Sequence, residues 1–279
     1  MIQNENLDIE TVKGFGDEWT RFDQSEVPAA ERQDLFDSYF RIFPWDSLPT
    51  NAVGFDAGCG SGRWAMLVAP RVGHLHCVDP SSAIDVAAKN LMRLNNISLH
   101  RASIDALPMP DASMDFGYSL GVLHHIPDTQ AAMISCVRKL KPGAPFLVYL
   151  YYRFDNRPAW FGLIWKASEI LRKMIAVQPH GIRYALSQVA AATIYWPLAR
   201  LAKLAEYCGL NVDNWPLSSY RKRTFYMMRT DALDRFGTRL EQRFTRTEIE
   251  AMMRESGLVN VRISDGFPYW CAVGERGAE

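Results

Sequence analysis

The sequence has 279 residues, 48% hydrophobic and 22% charged, which is enough to build one large globular domain or a domain that carries a subdomain. Its 31 basic residues balance 31 acidic residues, and this zero net charge argues against a protein dedicated to binding nucleic acid. The five cysteines are scattered without a CxxC pair, which excludes a zinc ribbon and favours a reducing compartment.

Charge is unevenly distributed along the chain. Residues 1–50 carry eleven acidic and four basic residues, whereas residues 153–240 carry fourteen basic and six acidic residues. The first ten residues, MIQNENLDIE, lack the basic and apolar stretches of a signal peptide, and the most apolar run, 189–199, is too short to span a bilayer. We therefore predict a cytoplasmic protein without a transmembrane segment.

The first segment, 1–50, is predicted to form an N-terminal helical cap. Its FGDEWTRF stretch places Phe15, Trp19 and Phe22 at roughly helical spacing. This spacing fits either simple packing on a sheet or an element that folds over a ligand.

Residues 51–152 alternate between short β-rich runs and runs in which apolar residues recur at helical spacing. Strands separated by helices form βαβ units, so the pattern predicts an α/β core with a parallel, doubly wound sheet. The five predicted strands are 52–57, 74–79, 98–103, 115–120 and 145–152.

Residues 153–240 interrupt this alternation with a helical insertion that is rich in aromatic and basic residues. Two amphipathic helices are predicted, over about 159–176 and 182–207. Because ligands of open α/β sheets bind at the carboxyl ends of strands, an insertion after the fifth strand fits a substrate lid. A dimer interface, giving a homodimer, and a membrane-surface patch are the alternatives. If the insertion is a lid, Tyr226, Arg229 and Asp231 of its TFYMMRTD stretch are the predicted substrate contacts.

Residues 241–279 are predicted to complete the core. The stretch FTRTEIEAMMRESG reads as a helix, with Thr245 or Thr247 as its N-cap and Gly257 after its end. Two strands follow, LVNVRISDG and PYWCAVGER, and we expect them to be antiparallel.

A glycine-rich turn follows the first strand, in VGFDAGCGSGRW. Gly58, Gly60 and Gly62 occupy alternate positions, which suits a tight turn or a loop whose backbone approaches a ligand closely. The spacing differs from the G-x-G-x-x-G fingerprint of dinucleotide sites, so a nicotinamide oxidoreductase is disfavoured.

Acidic residues follow the second and third strands. Asp79, about twenty residues beyond the glycine turn, is placed to accept the two hydroxyls of a ribose. Asp105 is placed to accept from the amine of an adenine, with Ile104 and Ala106 flanking the base, although a loop or capping role is the alternative.

These pieces in this order resemble the class I S-adenosylmethionine-dependent methyltransferases. The matching stretches are FDAGCGSG, HCVDPS, SIDALP, SLGVLHHIPD and RKLKPGAPFLVYL. The resemblance implies a seven-stranded sheet with the last strand antiparallel, and S-adenosylmethionine as the cofactor. It places the backbone of Gly58, Cys59 and Gly60 against the methionyl part and Asp56 near the ammonium group. The adenosine and the rest of the methionine would contact Asp79, Pro80, Ile104, Asp105, Ala106, Ser119 and Leu120.

The SLGVLHHIPD stretch is where the resemblance places the chemistry. His124 or His125 is predicted to act as a base on an acceptor hydroxyl, since an imidazole has a pKa near neutrality. The alternative for either histidine is a structural role. Related enzymes often pair such a histidine with an acid near the end of the fifth strand, but here no acid occurs before Asp155. No metal site is predicted, since His74 and His76 fit core or edge positions of a strand.

The sequence therefore predicts a methyltransferase that acts on an oxygen or nitrogen of a small molecule, with a sugar or glycoconjugate precursor as one acceptor class. A methyltransferase for tRNA or protein that docks through the basic insertion is the first alternative. A non-catalytic cofactor-binding subunit, whose insertion is a partner interface, is the second.

Overall fold

The computed structural model describes residues 6–278, so the first five residues of the predicted cap and the last residue of the chain lie outside it. The chain divides into two compact units, which we call the sheet unit and the helical unit. The sheet unit comprises the residues up to Gln24, Gln33–Arg153 and the residues from Leu240 onwards; the helical unit comprises Ser25–Arg32 and Phe154–Arg239.

The described residues form ten α-helices and seven β-strands. The helices are α1 (Ile9–Arg21), α2 (Ala29–Tyr39), α3 (Ala65–Val68), α4 (Ala83–Asn90), α5 (Thr129–Lys139), α6 (Ala159–Ala176), α7 (His180–Ala190), α8 (Trp196–Tyr207), α9 (Phe225–Gly237) and α10 (Arg246–Glu255). The strands are β1 (Val53–Ala57), β2 (His74–Val78), β3 (Ile97–His100), β4 (Phe116–Leu120), β5 (Pro145–Tyr149), β6 (Leu258–Ile263) and β7 (Cys271–Arg276).

All seven strands form one sheet, in the order β3-β2-β1-β4-β5-β7-β6. The first five pair in parallel, and β7 is antiparallel to both β5 and β6. This confirms the predicted doubly wound fold, its antiparallel last strand and a helical insertion between the fifth and sixth strands. The strand order reverses between β1 and β4, the switch point at which such sheets bind ligands.

The centre of the sheet is packed by aromatic rings laid over glycines. Gly54 pairs with Phe116, and Phe55 pairs with Gly117, across β1 and β4. A Cβ atom on Gly54 would lie 2.3 Å from the Phe116 ring, and one on Gly117 would lie 2.4 Å from the Phe55 ring. Both rings are fully buried, so this interlock fixes the register of the two strands that flank the switch point.

Several predicted boundaries change in the structure. The predicted strand at 98–103 ends at His100, and the one at 145–152 leaves the sheet after Tyr149. The run RWAMLVAPRV, one of those in which apolar residues recur at helical spacing, forms only α3 and a 3₁₀ turn, because Pro70 interrupts the pattern of helical hydrogen bonds. Of the two N-cap candidates before α10, Thr245 is the cap and forms a capping box with Glu248.

The helical unit is organised around α9, a helix that the sequence did not predict. The insertion helix predicted at 159–176 is confirmed as α6, and the second is observed as α7, a π-helical segment Ala191–Tyr195 and α8. Helices α6 and α7 and the π-helical segment all contact α9. The buried guanidinium groups of Arg172 and Arg183 donate to the carbonyl oxygens of Thr238 and Gly237, at 2.7 and 2.6 Å, and so anchor the C-terminal end of α9.

Among the described residues, no helix is long and apolar enough to cross a membrane.

Candidate functional site

Glycines occupy alternate positions of the loop that leaves β1, and the geometry explains why. Gly58 and Gly60 have positive φ angles of 83° and 53°, which residues with a Cβ atom rarely adopt. A Cβ on Gly58 would lie 2.4 Å from a methyl carbon of Val122, and one on Gly60 would lie 3.0 Å from Trp19 Nε1. The loop therefore needs glycine both for its conformation and for the close approach of its neighbours.

Asp79 follows β2 and ties the end of that strand to the glycine loop. One carboxylate oxygen accepts a hydrogen bond from the Gly60 backbone N–H at 2.9 Å. The other accepts from the backbone N–H and the hydroxyl of Ser81, at 2.8 and 2.6 Å. Burial raises the pKa of the carboxyl, and these hydrogen bonds oppose the rise. The predicted ribose-binding acid is thus held in a fixed orientation beside the loop.

Asp56, the last but one residue of β1, is in the opposite situation. Its side chain is buried, and neither carboxylate oxygen has a hydrogen-bond partner among the described residues. Burial raises its pKa from 3.8 to about 8, although the neighbouring Tyr118 hydroxyl lowers it in part. That hydroxyl lies outside hydrogen-bonding geometry and is itself buried without a partner. A cationic group bound beside Asp56 would supply the missing partner.

The other predicted cofactor residues lie on the loops and strand ends around this edge of the sheet. The backbone N–H groups of Gly58 and Cys59 both donate to the Val78 carbonyl oxygen, and the Ser119 hydroxyl donates to that of Ala57. A 3₁₀ turn after β3 carries Ile104, Asp105 and Ala106. Cys59, Ile104, Ser119 and Leu120 are buried, Pro80 is half-buried, and Asp105 and Ala106 are exposed.

Helix α1 contacts both the glycine loop and the histidine turn. The Trp19 ring lies over Gly60, and the Arg63 guanidinium lies 5.2 Å from the centroid of that ring. The Phe15 ring lies 4.8 Å from the His125 ring. Phe15 and Trp19, two of the three aromatic residues at helical spacing, are thus the ones that bring α1 to the site.

The turn after β4 carries the two predicted bases, on a 3₁₀ turn spanning Leu123–His125. The His124 ring contacts the rings of His125 and Tyr151, at centroid distances of 4.0 and 3.9 Å, and those two rings are 5.4 Å apart. It is fully buried, and neither ring nitrogen has a hydrogen-bond partner among the described residues. Burial, with smaller contributions from His125 and Arg243, lowers its pKa well below 6.5 and keeps the imidazole neutral.

His125 has a defined orientation instead. Its Nδ1 lies 2.7 Å from the Leu240 carbonyl oxygen, which can only accept, so Nδ1 carries the proton and Nε2 the lone pair.

Three residues beside these histidines were missed by the sequence analysis. The Glu241 side chain is 2% exposed and forms a 2.7 Å ion pair with Arg243. The Arg243 guanidinium lies 5.1 Å from the centroid of the Tyr151 ring, which in turn contacts His124. The Gln242 backbone N–H donates to the His124 carbonyl oxygen at 3.0 Å, so this segment lies directly against the turn. Residues 241–243 therefore reach the histidine turn from a distant part of the chain.

The predicted substrate residues Tyr226, Arg229 and Asp231 all lie on α9 of the helical unit. Tyr226 is buried, and Arg229 donates to Gln188 Oε1 at 2.5 Å and to the Tyr184 hydroxyl at 3.0 Å. Their contact with a substrate stays a prediction.

Comparison with known proteins agrees with this arrangement of motifs. Residues 55–148 match the family model described as a methyltransferase domain. A protein of Mycolicibacterium smegmatis assigned as an S-adenosylmethionine-dependent methyltransferase is 32% identical over 103 residues, which cover 37% of this chain and 39% of that protein. The ubiquinone biosynthesis O-methyltransferase of Hahella chejuensis is 28% identical over 191 residues, covering 64% of this chain and 76% of the relative. The apo structure of the S-adenosylmethionine-dependent methyltransferase SibL has the same fold, with a TM-score of 0.53 at 15% identity, covering 93% of this chain and 62% of SibL.

Residues 55–148 therefore form a methyltransferase domain, and S-adenosylmethionine is the cofactor of the S-adenosylmethionine-dependent methyltransferases that the chain resembles. The match to the mycobacterial relative spans about two fifths of that protein's length.

Proposed function

We propose that the chain is an enzyme that transfers the methyl group of S-adenosylmethionine to a hydroxyl oxygen of a small molecule. The observation that carries the proposal is His124, whose two ring nitrogens are buried without a partner among the described residues. It follows Val122, which packs against Gly58, by two positions. A buried polar atom without a partner costs free energy, so its presence beside the glycine loop indicates a ligand that supplies one.

The residues around the glycine loop fit the family's cofactor. The backbone of Gly58, Cys59 and Gly60 would hold the methionyl part. A Cβ atom on Gly58 would collide with Val122, and one on Gly60 would crowd Trp19. Asp56 would pair with the ammonium group, and this pairing would lower its raised pKa. The bound cofactor supplies a methyl group on a positively charged sulfur, open to attack by a nucleophile. Asp79, Pro80, Ile104, Asp105, Ala106, Ser119 and Leu120 would contact its remaining parts.

His124 would accept the proton of the acceptor hydroxyl. Its lowered pKa keeps the ring neutral at pH 7, so a lone pair is available. The same lowering makes it a weak base, so it would take the proton only as the oxygen loses electron density to the new bond. His125 is the alternative base, because its Nδ1–H is held by the Leu240 carbonyl and its Nε2 keeps the lone pair.

An oxygen acceptor is favoured over a nitrogen acceptor by two observations. A histidine base is needed for a hydroxyl and is dispensable for an amine that is already unprotonated. The relative with the longest of the reported sequence matches, 191 residues, is an O-methyltransferase by name. The aromatic rings of Phe15 and Tyr151 beside the histidines suit an apolar or aromatic acceptor, and a sugar remains the second acceptor class to be tested.

The direct test is transfer from methyl-labelled S-adenosylmethionine to a panel of phenols, catechols, sugars, glycolipid precursors and amines. We expect labelled product only with hydroxyl-bearing members, and at least about a hundredfold slower formation of it by the His124→Ala variant. Transfer to tRNA or to a protein instead would favour docking through the basic insertion. Tight cofactor binding without transfer to any acceptor would favour the non-catalytic subunit.

Cofactor binding is tested separately with Asp79→Ala. This change leaves the donors on Gly60 and Ser81 without their acceptor and removes the predicted ribose contact. We expect the affinity for S-adenosylmethionine, measured by calorimetry, to fall by about 1–3 kcal/mol. Asp111→Ala is the matched control, since Asp111 pairs with Arg138 and Lys139 on the surface and should leave the affinity unchanged. Tight binding of NAD without binding of S-adenosylmethionine would overturn the assignment.

A further inference from the structure

Helix α6 carries apolar side chains on its solvent-facing side as well as on its buried side, where Ile175 and Ala176 pack. Its buried face carries Arg172, which pairs with Glu169, and that carboxylate also pairs with Arg235 of α9. Its solvent-facing side carries six large apolar side chains that are between 42% and 67% exposed. They are Trp160, Leu163, Ile164, Ile170, Leu171 and Met174. Their spacing of three and four residues places them on one stripe along a helix about 27 Å long.

The next helices repeat this pattern. Ile182, Leu186 and Val189 follow one another at helical spacing on α7, and all three are exposed. On α8, Trp196, Leu201 and Leu204 are also exposed, while Ala199, Ala202 and Ala205 on the opposite side are buried. We call these exposed stripes of α6, α7 and α8 the apolar face. Single exposed apolar residues are ordinary, but stripes on three consecutive helices mark an interaction surface.

The charge beside the apolar face is positive. Lys166 and Lys173 on α6 and Lys203 on α8 are exposed and form no ion pair with any described residue. The two acidic residues of α6–α8, Glu169 and Glu206, are both engaged with arginines. The surface therefore combines apolar side chains, tryptophans and unneutralised lysines.

We propose that the apolar face is a peripheral-membrane surface that binds an anionic lipid bilayer. Helices that lie in the plane of a membrane interface have tryptophan and leucine on one side and lysine at its flanks, where the alkyl stems cover apolar surface and the ammonium groups reach the headgroups. Negatively charged headgroups complement the three lysines.

A second copy of the chain is the competing occupant, and charge disfavours it. A twofold dimer brings the same surface of both copies together, so the lysines of one copy would face a surface without an exposed acid on these helices. An anionic bilayer has no such conflict. The inference does not depend on the proposed methyl transfer, because it is read out as binding to lipid.

The test is flotation of the full chain with vesicles in a density gradient, since bound protein floats and self-associated protein sinks. One vesicle is phosphatidylcholine alone, and the other contains about 30 mol% phosphatidylglycerol. We expect the floating fraction to be at least about tenfold larger with the anionic vesicle and to fall as salt is raised.

Two sets of variants separate the apolar and charged contributions. The triple change Leu163→Gln, Ile170→Gln and Met174→Gln should reduce binding to the anionic vesicle by more than about tenfold, because three partly inserted apolar side chains are lost. Lys166→Gln, Lys173→Gln and Lys203→Gln should reduce it and remove most of its salt dependence. The matched control is Met92→Gln, Ile134→Gln and Val259→Gln, three exposed apolar residues of the sheet unit, which should bind like the unchanged chain.

Three results would overturn the proposal. The unchanged chain could remain unbound to anionic vesicles at low salt. The apolar-face variant could float like the control variant. Sedimentation velocity could show a dimer that the apolar-face variant converts to a monomer while no vesicle binding occurs, which would assign the surface to a second copy of the chain.

Discussion

The sheet unit and the helical unit depart from the usual pattern of burial in opposite directions. In the sheet unit, Asp56 and His124 are buried without hydrogen-bond partners among the described residues. In the helical unit, Leu163, Ile170 and Met174 are exposed although they are large and apolar. Folded chains normally pair their buried polar atoms and cover their long apolar stripes. Each departure therefore indicates a partner of matching chemistry, a small polar ligand in one unit and an extended apolar surface in the other.

Asp79 shows that the departure in the sheet unit is selective. Its carboxylate is also buried, yet it accepts three hydrogen bonds from Gly60 and Ser81. The chain thus satisfies one acid of the site internally and leaves the other for a ligand. On this view, Asp79 supports the shape of the loop, while Asp56 supplies charge to whatever binds there.

The largest expected effect comes from removing His124. If its buried nitrogens are there to meet a substrate, His124→Ala should lower kcat by about 10²- to 10⁴-fold and leave the affinity for S-adenosylmethionine nearly unchanged. Steady-state kinetics and calorimetry on the same preparation measure the two quantities. His100→Ala is the matched control, since His100 lies at the edge of the sheet and bonds to His76.

A His124→Ala variant that keeps nearly full turnover would return His124 to a packing role. The contrast between the units would then rest on Asp56 alone. If His125→Ala is the variant that loses turnover, the histidine whose Nδ1 is held by Leu240 is the base.

The second prediction concerns the pH dependence of stability through Asp56. Its pKa is about 8 in the folded chain and 3.8 as a free side chain, so the folded chain binds a proton there that the unfolded chain releases above pH 4. Stability contributed by this group is complete below pH 4 and is lost as pH rises through 8. The full difference corresponds to at most about 6 kcal/mol, at about 1.4 kcal/mol for each tenfold change in proton affinity. Asn at this position cannot ionise and should be free of this loss.

Denaturant unfolding of the ligand-free chain at pH 5 and pH 8 measures the effect. We expect the free energy of unfolding of Asp56→Asn to exceed that of the unchanged chain by a few kcal/mol more at pH 8 than at pH 5. The same variant should bind S-adenosylmethionine more weakly, because an amide cannot neutralise an ammonium group. If the free energy of unfolding depends on pH in the same way in both proteins, Asp56 already has a partner in the folded chain and is not waiting for a bound cation.

The sequence was most informative where the signal is local. The glycine loop, Asp79 and the histidine turn each follow a strand directly, and the carboxyl ends of β1, β2 and β4 are neighbours in the sheet. Recognising strands and turns was therefore enough to bring these residues to one edge. Before α10 the sequence offered Thr245 and Thr247 as N-cap candidates, and Thr245 is the cap, in a capping box with Glu248.

The sequence was least informative where distant segments meet or where a helix must choose which face to bury. Residues 241–243 lie against the histidine turn because Gln242 bonds to His124 and Phe244 pairs with Tyr152, although the helical insertion separates these segments in the sequence. No local sequence pattern predicts such a long-range contact. Periodicity predicts α6 and its apolar stripe, but it does not say that the stripe faces solvent. On the inner side, Arg172 pairs with Glu169 and donates to the Thr238 carbonyl oxygen, and Ile175 and Ala176 are also buried there.

The smallest expected effect tests whether the helical unit also contacts the substrate, as predicted for Tyr226, Arg229 and Asp231. Arg229→Lys keeps the charge but loses the planar guanidinium that bonds to Gln188 and Tyr184. If Arg229 positions the acceptor, KM for the acceptor should rise about tenfold while kcat changes little, since binding alone is weakened. Arg200→Lys is the control, because Arg200 donates to the backbone carbonyl oxygens of Arg221 and Arg223 within its own unit. A lower melting temperature for Arg229→Lys with unchanged KM would make Arg229 a structural residue. The apolar face would then be the one functional surface proposed for the helical unit. The sheet unit would bind the cofactor, and the helical unit would bind the bilayer.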